Sequence, residues 1–179
     1  MEASYILILF SPLPTYVVSF GSGTLIRVFD THSGELLKEL RRGMERAVIN
    51  CISFSKTSEH MACSSDKGTV HIFTLAKRSK SSEGRTQGAS ASEEAAGEQA
   101  PNNATSNLSM LRRIIPAVPK YVDSEWSFAQ IHGLESHTIC AFGQDLGSII
   151  VVGADGSYLH ASFVAGGECE KVSFAKFVR

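Results

Sequence analysis

One strand is written twice in this chain. Residues 23–29 read Gly-Thr-Leu-Ile-Arg-Val-Phe and residues 68–73 read Gly-Thr-Val-His-Ile-Phe. The glycines that open them stand about 45 positions apart, the length of one four-stranded propeller blade. A third version, Asp155-Gly156-Ser157-Tyr158-Leu159, begins about 88 positions after Gly68, too far for one blade. Removing the polar stretch of about 44 positions between Lys77 and Lys120 restores one blade length. The same spacing therefore accounts for both the repeat and the insertion.

The texture between these marks is that of short antiparallel strands. Runs rich in Val, Ile and Phe are broken by Gly, Ser, Asp and Asn. A first unit predicts strands at 5–10, 16–20, 24–29 and 35–40. A second predicts strands at 48–54, 60–64 and 69–75, with a fourth at 126–131. A third follows at 138–142, 148–152, 157–163 and 169–174. The expected fold is all-β: a partial β-propeller of about three four-stranded antiparallel blades, with a long disordered loop in the middle blade. The first blade covers 1–45, the second 46–76 and 120–132, the loop 77–119, and the third 133–179.

Bulk properties add limits. With 179 residues, 43% of them hydrophobic, the chain has enough apolar material for one domain with a core. A formal net charge of −1 predicts no whole-molecule attraction to nucleic acid or to an anionic surface, so anion binding must come from a local cluster. The four cysteines form no Cys-x-x-Cys pair; Cys51, Cys63 and Cys140 sit in apolar runs and read as buried reduced thiols. The apolar run at 5–10 follows Glu2 rather than a basic start and meets Pro12 and Pro14, so a strand fits it better than a signal segment. Asn103-Ala104-Thr105 matches a glycosylation acceptor, and without a secretory signal the match reads as accidental.

The insertion changes character along its length. Residues 79–107 are Ser, Ala, Gly, Glu, Gln and Asn with almost no large apolar side chain, too little to order a segment. Then Leu111, Ile114 and Ile115 alternate with Arg112 and Arg113, and Pro116 and Pro119 stop any helix. Two readings stand. Leu111, Arg112, Arg113, Ile114 and Ile115 form a basic amphipathic turn that enters a membrane interface, or they dock on the propeller edge.

Between the first two strand copies lies Leu40-Arg41-Arg42-Gly43. Adjacent guanidinium groups at a joint between blades can point into both flanking crevices, and their planar forks suit phosphate. The tetrad, the following Asn50-Cys51-Ile52-Ser53-Phe54, the block from Ser64-Ser65-Asp66-Lys67-Gly68-Thr69 to Val70-His71-Ile72-Phe73, Pro119-Lys120-Tyr121, Ser127-Phe128-Ala129 and Cys140-Ala141-Phe142-Gly143 resemble the PROPPIN family. The resemblance implies the last three blades of a seven-bladed propeller that binds phosphatidylinositol 3-phosphate and the 3,5-bisphosphate. It implies action in autophagy and endolysosomal traffic, in the cytoplasm and peripherally on autophagosome-precursor, endosomal or vacuolar membranes. Implied protein partners are lipid-transfer and conjugation machinery of autophagy; no nucleic acid, cofactor, metal or catalytic residue is implied.

By the same resemblance, Arg41 serves a first lipid site with Gly23, Thr24 and Arg27, and Arg42 serves a second with Gly43, Ser65, Thr69 and His71. Hydroxyls donate to phosphate oxygens, glycine admits backbone N–H groups, and His71 donates through its ring. Protonation of His71 is expected to strengthen binding as pH falls through about 6.5. The chain departs from the family at Val18, Phe20 and Ser22, where the first site usually has small hydroxyl and basic residues, and in carrying three blades of seven. The divergent first twenty residues fit a truncated or alternative product, with completion of the ring by another chain as the other reading.

Bland readings compete. Arg41 and Arg42 alone would be a solvated pair, and His71 could be a solvent-facing strand residue. Trp126 and Phe128 share a strand face and read as core. At the level of function, a lipid-reading module competes with a propeller-type protein-interaction scaffold that binds no lipid. An enzyme finds little support, since there is no Gly-rich phosphate loop, metal-spaced His/Cys set or nucleophile with a base nearby.

Overall fold

The computed structural model describes residues 5–9, 16–20, 23–76, 103–105, 124–134, 137–163 and 167–177. Among them every regular element is a strand. β1 (Tyr5–Leu9), β2 (Tyr16–Phe20), β3 (Leu25–Asp30) and β4 (Leu36–Arg41) pair in chain order as an antiparallel meander. β5 (Ile49–Phe54), β6 (His60–Ser65) and β7 (Val70–Thr74) build a second sheet in the same way. β8 (Ala104–Thr105) and β9 (Glu125–Trp126) return to the outer edge of the first sheet, and β10 (Ala129–Ile131) then closes the second against β7. β11 (Thr138–Phe142), β12 (Ser148–Gly153), β13 (Ser157–Ser162) and β15 (Glu170–Lys176) make the third sheet, with β14 (Gly167–Glu168) attached to the second.

The single strand expected at 126–131 is in fact two. Glu125 and Trp126 run parallel to Leu40 and Arg41, while Ala129 to Ile131 run antiparallel to Ile72 to Val70. Lys38 Nζ on β4 grips Glu125 Oε2 at 2.8 Å, and Phe128 N has already moved to the carbonyl of Ile72 at 3.0 Å. The break lies between those two commitments. The third unit repeats the arrangement: Gly167 and Glu168 run parallel to β10 before Glu170 begins the outer strand of the third sheet. The strand expected at 169–174 thus starts one residue later, and its approach is pinned to the sheet before it. Each outer strand is laced to the preceding sheet by the dipeptide that leads into it.

Period-two alternation sends each middle sheet side chain to one of two cores. Ile26, Val28 and Leu40 of the first sheet meet Ile52, Met61, Cys63 and Phe73 of the second. Ala62, Val70 and Ile72, on the opposite face of the second sheet, meet Cys140, Ile149, Val151, Leu159 and Ala161 of the third. Near-complete burial of strands β6 and β7 follows, because a middle sheet is covered on both sides. The glycines of the repeat have a packing role here. Gly23 has φ +72°, and a Cβ on it would lie 2.0 Å from the carbonyl oxygen of Ala47 in the connection to β5. Gly68 has φ +68°, and a Cβ would lie 2.1 Å from the carbonyl oxygen of Leu134 in the connection to β11. Only a residue without a side chain seats the next blade's connection so closely.

Candidate phosphate-recognition seam

Arg41 ends β4, and Arg42 follows it with its N–H on the carbonyl of Thr24 at 3.0 Å. Successive residues of an extended chain project to opposite faces, so the two guanidinium groups part company. Arg41 shares a face with Glu39, whose register partner is Arg27, on the side of the first sheet away from the second. Its guanidinium carbon stands 5.8 Å from the centroid of the Trp126 ring, and Nη1 reaches the carbonyl of Gly43 at 3.5 Å. Arg27 Nε donates to Glu39 Oε2 at 2.9 Å, and Ser124 Oγ donates to Glu39 Oε1 at 3.0 Å. Thr24 sits half-buried at the entry to β3. Of the first candidate group, Arg41 and Arg27 therefore share a face, but a carboxylate stands between them.

Arg42 goes the other way and is buried, 6% exposed. Its Nε donates to the carbonyl of Gly23 at 2.7 Å and its Nη2 donates to the carbonyl of Glu45. These bonds hold the guanidinium plane fixed and leave Nη1 outside both of them. The positive charge lies near enough to Cys63 and His71 to act on their protonation. Cys63 pairs with His71 across β6 and β7, and Ser65, two residues along β6 from Cys63, belongs to the same face. Ser65 is fully buried and its Oγ accepts from the N–H of Lys67 at 3.4 Å. Thr69 is half-buried just before β7, and Gly43 follows Arg42 directly, half-buried as well. Arg42 and His71 thus lie close in the crevice between the first two sheets, with Ser65 on the same face of the second.

His71 corrects two expectations. It is buried, 6% exposed, and so is no solvent-facing strand residue. Burial first, and the neighbouring Arg42 charge second, push its pKa down to about 4. The ring is neutral at pH 6.5, and the expected gain in binding through that pH has no proton to carry it. Its Nδ1 lies 3.1 Å from Ser127 Oγ, which accepts from Gln130 Nε2 at 2.8 Å. Ser127 Oγ accepts from Gln130 and keeps its own hydrogen, which it can donate to Nδ1 in the tautomer that carries the ring proton on Nε2. A neutral His71 in this tautomer still donates.

Trp126 and Phe128 also separate. Phe128 is core, whereas Trp126 belongs to the first sheet beneath Arg41. Glu39, Ser127, Gln130 and Trp126 are parts of the seam that motif reading missed. Strand register could have flagged Glu39, which lies directly across from Arg27; Ser127 stands in the Ser127-Phe128-Ala129 motif, which gave it no role, and nothing local could have flagged Gln130. Leu111, Arg112, Arg113, Ile114 and Ile115 lie outside the described residues. Asn103 of the glycosylation-like triplet is 4% exposed. Its Nδ2 donates to the carbonyl of Thr74 and to Glu125 Oε2, both at 2.7 Å, so in the folded chain that nitrogen is occupied.

Three radially packed sheets with a paired-arginine seam define an arc of a β-propeller. A family model described as PROPPIN matches residues 8–108, and the chain belongs to that family. It is 41% identical over 114 residues to "SVP1-like protein 2" of Candida glabrata, covering 62% of this chain and 25% of that protein. It is 35% identical over 144 residues to "Autophagy-related protein 18e" of Arabidopsis thaliana, covering 79% and 32%. Its backbone is similar to Kluyveromyces lactis Hsv2 (TM-score 0.63, 19% identity, covering 96% of this chain and 47% of that one). It is also similar to KlAtg21 as solved in the "Complex of KlAtg21 with coiled-coil of AgAtg16" (TM-score 0.59, 21% identity, 94% and 40%). The chain spans about a quarter to a third of the length of these two curated relatives.

Proposed function

We propose that this chain carries a phosphoinositide-recognition seam of an autophagy-related propeller, acting peripherally on autophagosome-precursor, endosomal or vacuolar membranes. The observation that carries this reading is the opposed pair Arg41 and Arg42 at the end of β4, with Arg42 held by the Gly23 and Glu45 carbonyls close enough to His71 to lower its pKa. A guanidinium held by backbone carbonyls is already oriented, so less side-chain entropy is lost when a phosphate arrives. The second group, Arg42 with Gly43, Ser65, Thr69 and His71, is the main site for phosphatidylinositol 3-phosphate or the 3,5-bisphosphate. The first group, Arg41 with Gly23, Thr24 and Arg27, is the weaker one, because Glu39 already neutralises Arg27.

Residues 111–115 add a second membrane signal, each near-surface Arg being worth about 1 kcal/mol. The whole-family partners, lipid-transfer or conjugation machinery, come to this chain on the strength of its autophagy-related relatives. The similar KlAtg21 was solved in complex with a coiled coil, which gives the scaffold reading its own support.

Flotation with phosphatidylinositol 3-phosphate liposomes, run beside a thermal melt, tests the proposal. Arg41→Thr with Arg42→Thr is expected to abolish flotation. Retained flotation in a double variant that melts cooperatively would refute the lipid reading. Loss of flotation with retained partner binding would separate lipid recognition from the scaffold role. Deleting residues 79–118 is expected to weaken liposome retention more than binding of a soluble headgroup.

A further inference from the structure

Two cysteines from neighbouring sheets meet at the inner strands. Cys51 is in β5 and Cys140 in β11, 89 positions apart in sequence, yet Cys51 Sγ lies 3.4 Å from the carbonyl oxygen of Cys140. Ser53 Oγ, on the same face of β5 as Cys51, stands 4.0 Å from Cys140 Sγ. All four described cysteines are free thiols. Cys51 is half-buried whereas Cys140 is 4% exposed, so one thiol is reachable and the other is sheltered behind it. A cavity of about 480 Å³ opens near the two strands, with neither cysteine in its lining. It is lined by Asn50 and Ile139, the residues that immediately precede the two cysteines, together with His137, Thr138 and Val152.

We propose that Cys51 and Cys140 are a peroxide-sensitive thiol pair that closes to a reversible disulfide joining the second and third sheets. The asymmetry needed for such chemistry is present. The Cys51 thiol donates to the carbonyl oxygen of Cys140 at 3.4 Å; the neighbouring Cys140 thiol lowers the Cys51 pKa to about 6, while the same coupling and burial push Cys140 up. Cys51, the more exposed of the two, is the attacking thiol once deprotonated, and Cys140 the resolving thiol. The Cys51 thiolate attacks one oxygen of hydrogen peroxide; the O–O bond breaks, and hydroxide leaves and takes up a proton to become water. This forms the Cys51 sulfenic acid. The Cys140 sulfur, losing its proton, then attacks the Cys51 sulfur and displaces the sulfenic hydroxyl as a second water. Two thiols and one peroxide give one disulfide and two waters. Cys63 takes no part: it is fully buried and burial pushes its thiol up to about 12.

The test is peroxide titration of the whole chain, followed by non-reducing peptide mass spectrometry. The expected product is a linked peptide pair containing Cys51 and Cys140, two hydrogens lighter than the free peptides and separated again by dithiothreitol. Cys51→Ser and Cys140→Ser should each abolish the link, and Cys63→Ser should keep it. Cys140→Ser should instead accumulate the Cys51 sulfenic acid, trapped by dimedone. Oxidation of Cys51 to sulfinic acid while Cys140 stays free would overturn the proposal, as would a link to Cys63 or Cys169. Unreacted thiols at millimolar peroxide in a chain that melts cooperatively would also overturn it.

Discussion

Arg42 Nε donates to the carbonyl of Gly23 at 2.7 Å, so the second arginine of the tetrad also closes the turn that opens the first strand copy. The side chain proposed to grip phosphate is here also a structural brace. Arg42→Thr leaves the carbonyls of Gly23 and Glu45 without their donor, at roughly 1–3 kcal/mol for each group left unmatched. Arg41→Thr removes a cation–π contact worth about 0.5–1 kcal/mol. Urea denaturation is expected to show Arg42→Thr as the more destabilised by at least about 1 kcal/mol; equal losses would show that the Gly23 brace contributes nothing.

Gly23 itself separates strain from crowding. Gly23→Ala combines a positive φ with a Cβ 2.0 Å from backbone, whereas Gly34→Ala has a positive φ of +71° and open space around it. Gly34→Ala should cost about 1 kcal/mol from backbone strain alone. Gly23→Ala should exceed it severalfold, because Ala47 and the start of the second sheet must move. Similar denaturation midpoints for the two variants would remove the packing role.

The pH response follows from His71. Its folded pKa of about 4 lies below the unfolded value of about 6.5. Between those values the unfolded chain binds the extra proton. Stability is therefore full above pH 6.5 and falls as pH drops toward 4, by up to about 3 kcal/mol. His60, half-buried among Phe128, Phe142 and Phe163, is lowered by burial and adds loss in the same direction. Denaturation in this window should show a shallower pH slope in His71→Gln. An unchanged slope would show that His71 is not held neutral.

Asn103 is the least conspicuous of the structural anchors. Its Oδ1 accepts from Thr74 N and its Nδ2 donates to Thr74 O, both at 2.7 Å, which imitates a strand partner for the edge of β7. Asn103→Ala should cost about 2–3 kcal/mol, since it leaves the Thr74 N–H and carbonyl unmatched in a buried place, while Glu125 keeps Lys38. Hydrogen exchange at the Thr74 amide reads the effect directly; unchanged protection would mean that water replaces the side chain.

Much of this architecture was legible because the repeat is local. Gly23, Gly68 and Gly156 all have positive φ, and each opens a strand where the spacing placed one. The arginine pair was legible for the same reason, since alternation at the end of a strand separates neighbours whatever surrounds them. What could not be read depends on partners far away in sequence. The split at Ser127 is set by Lys38 with Glu125 on one side and Ile72 with Phe128 on the other. The neutrality of His71 is set by burial against the first sheet, and Glu39 counts against the first site only once β3 and β4 are in register. The meeting of Cys51 with Cys140 belongs to the same class, because it depends on how two sheets pack.

The Asn103 clasp has one more consequence. By fastening the chain back onto Thr74, it holds positions 74 and 103 side by side, so any connection between them is a bight with two fixed feet. Doubling such a bight adds only about 0.6 kcal/mol of closure entropy. Evolution, or a protein engineer, can therefore lengthen, shorten or replace that stretch with an unrelated cargo peptide while the neighbouring sheets keep their alignment.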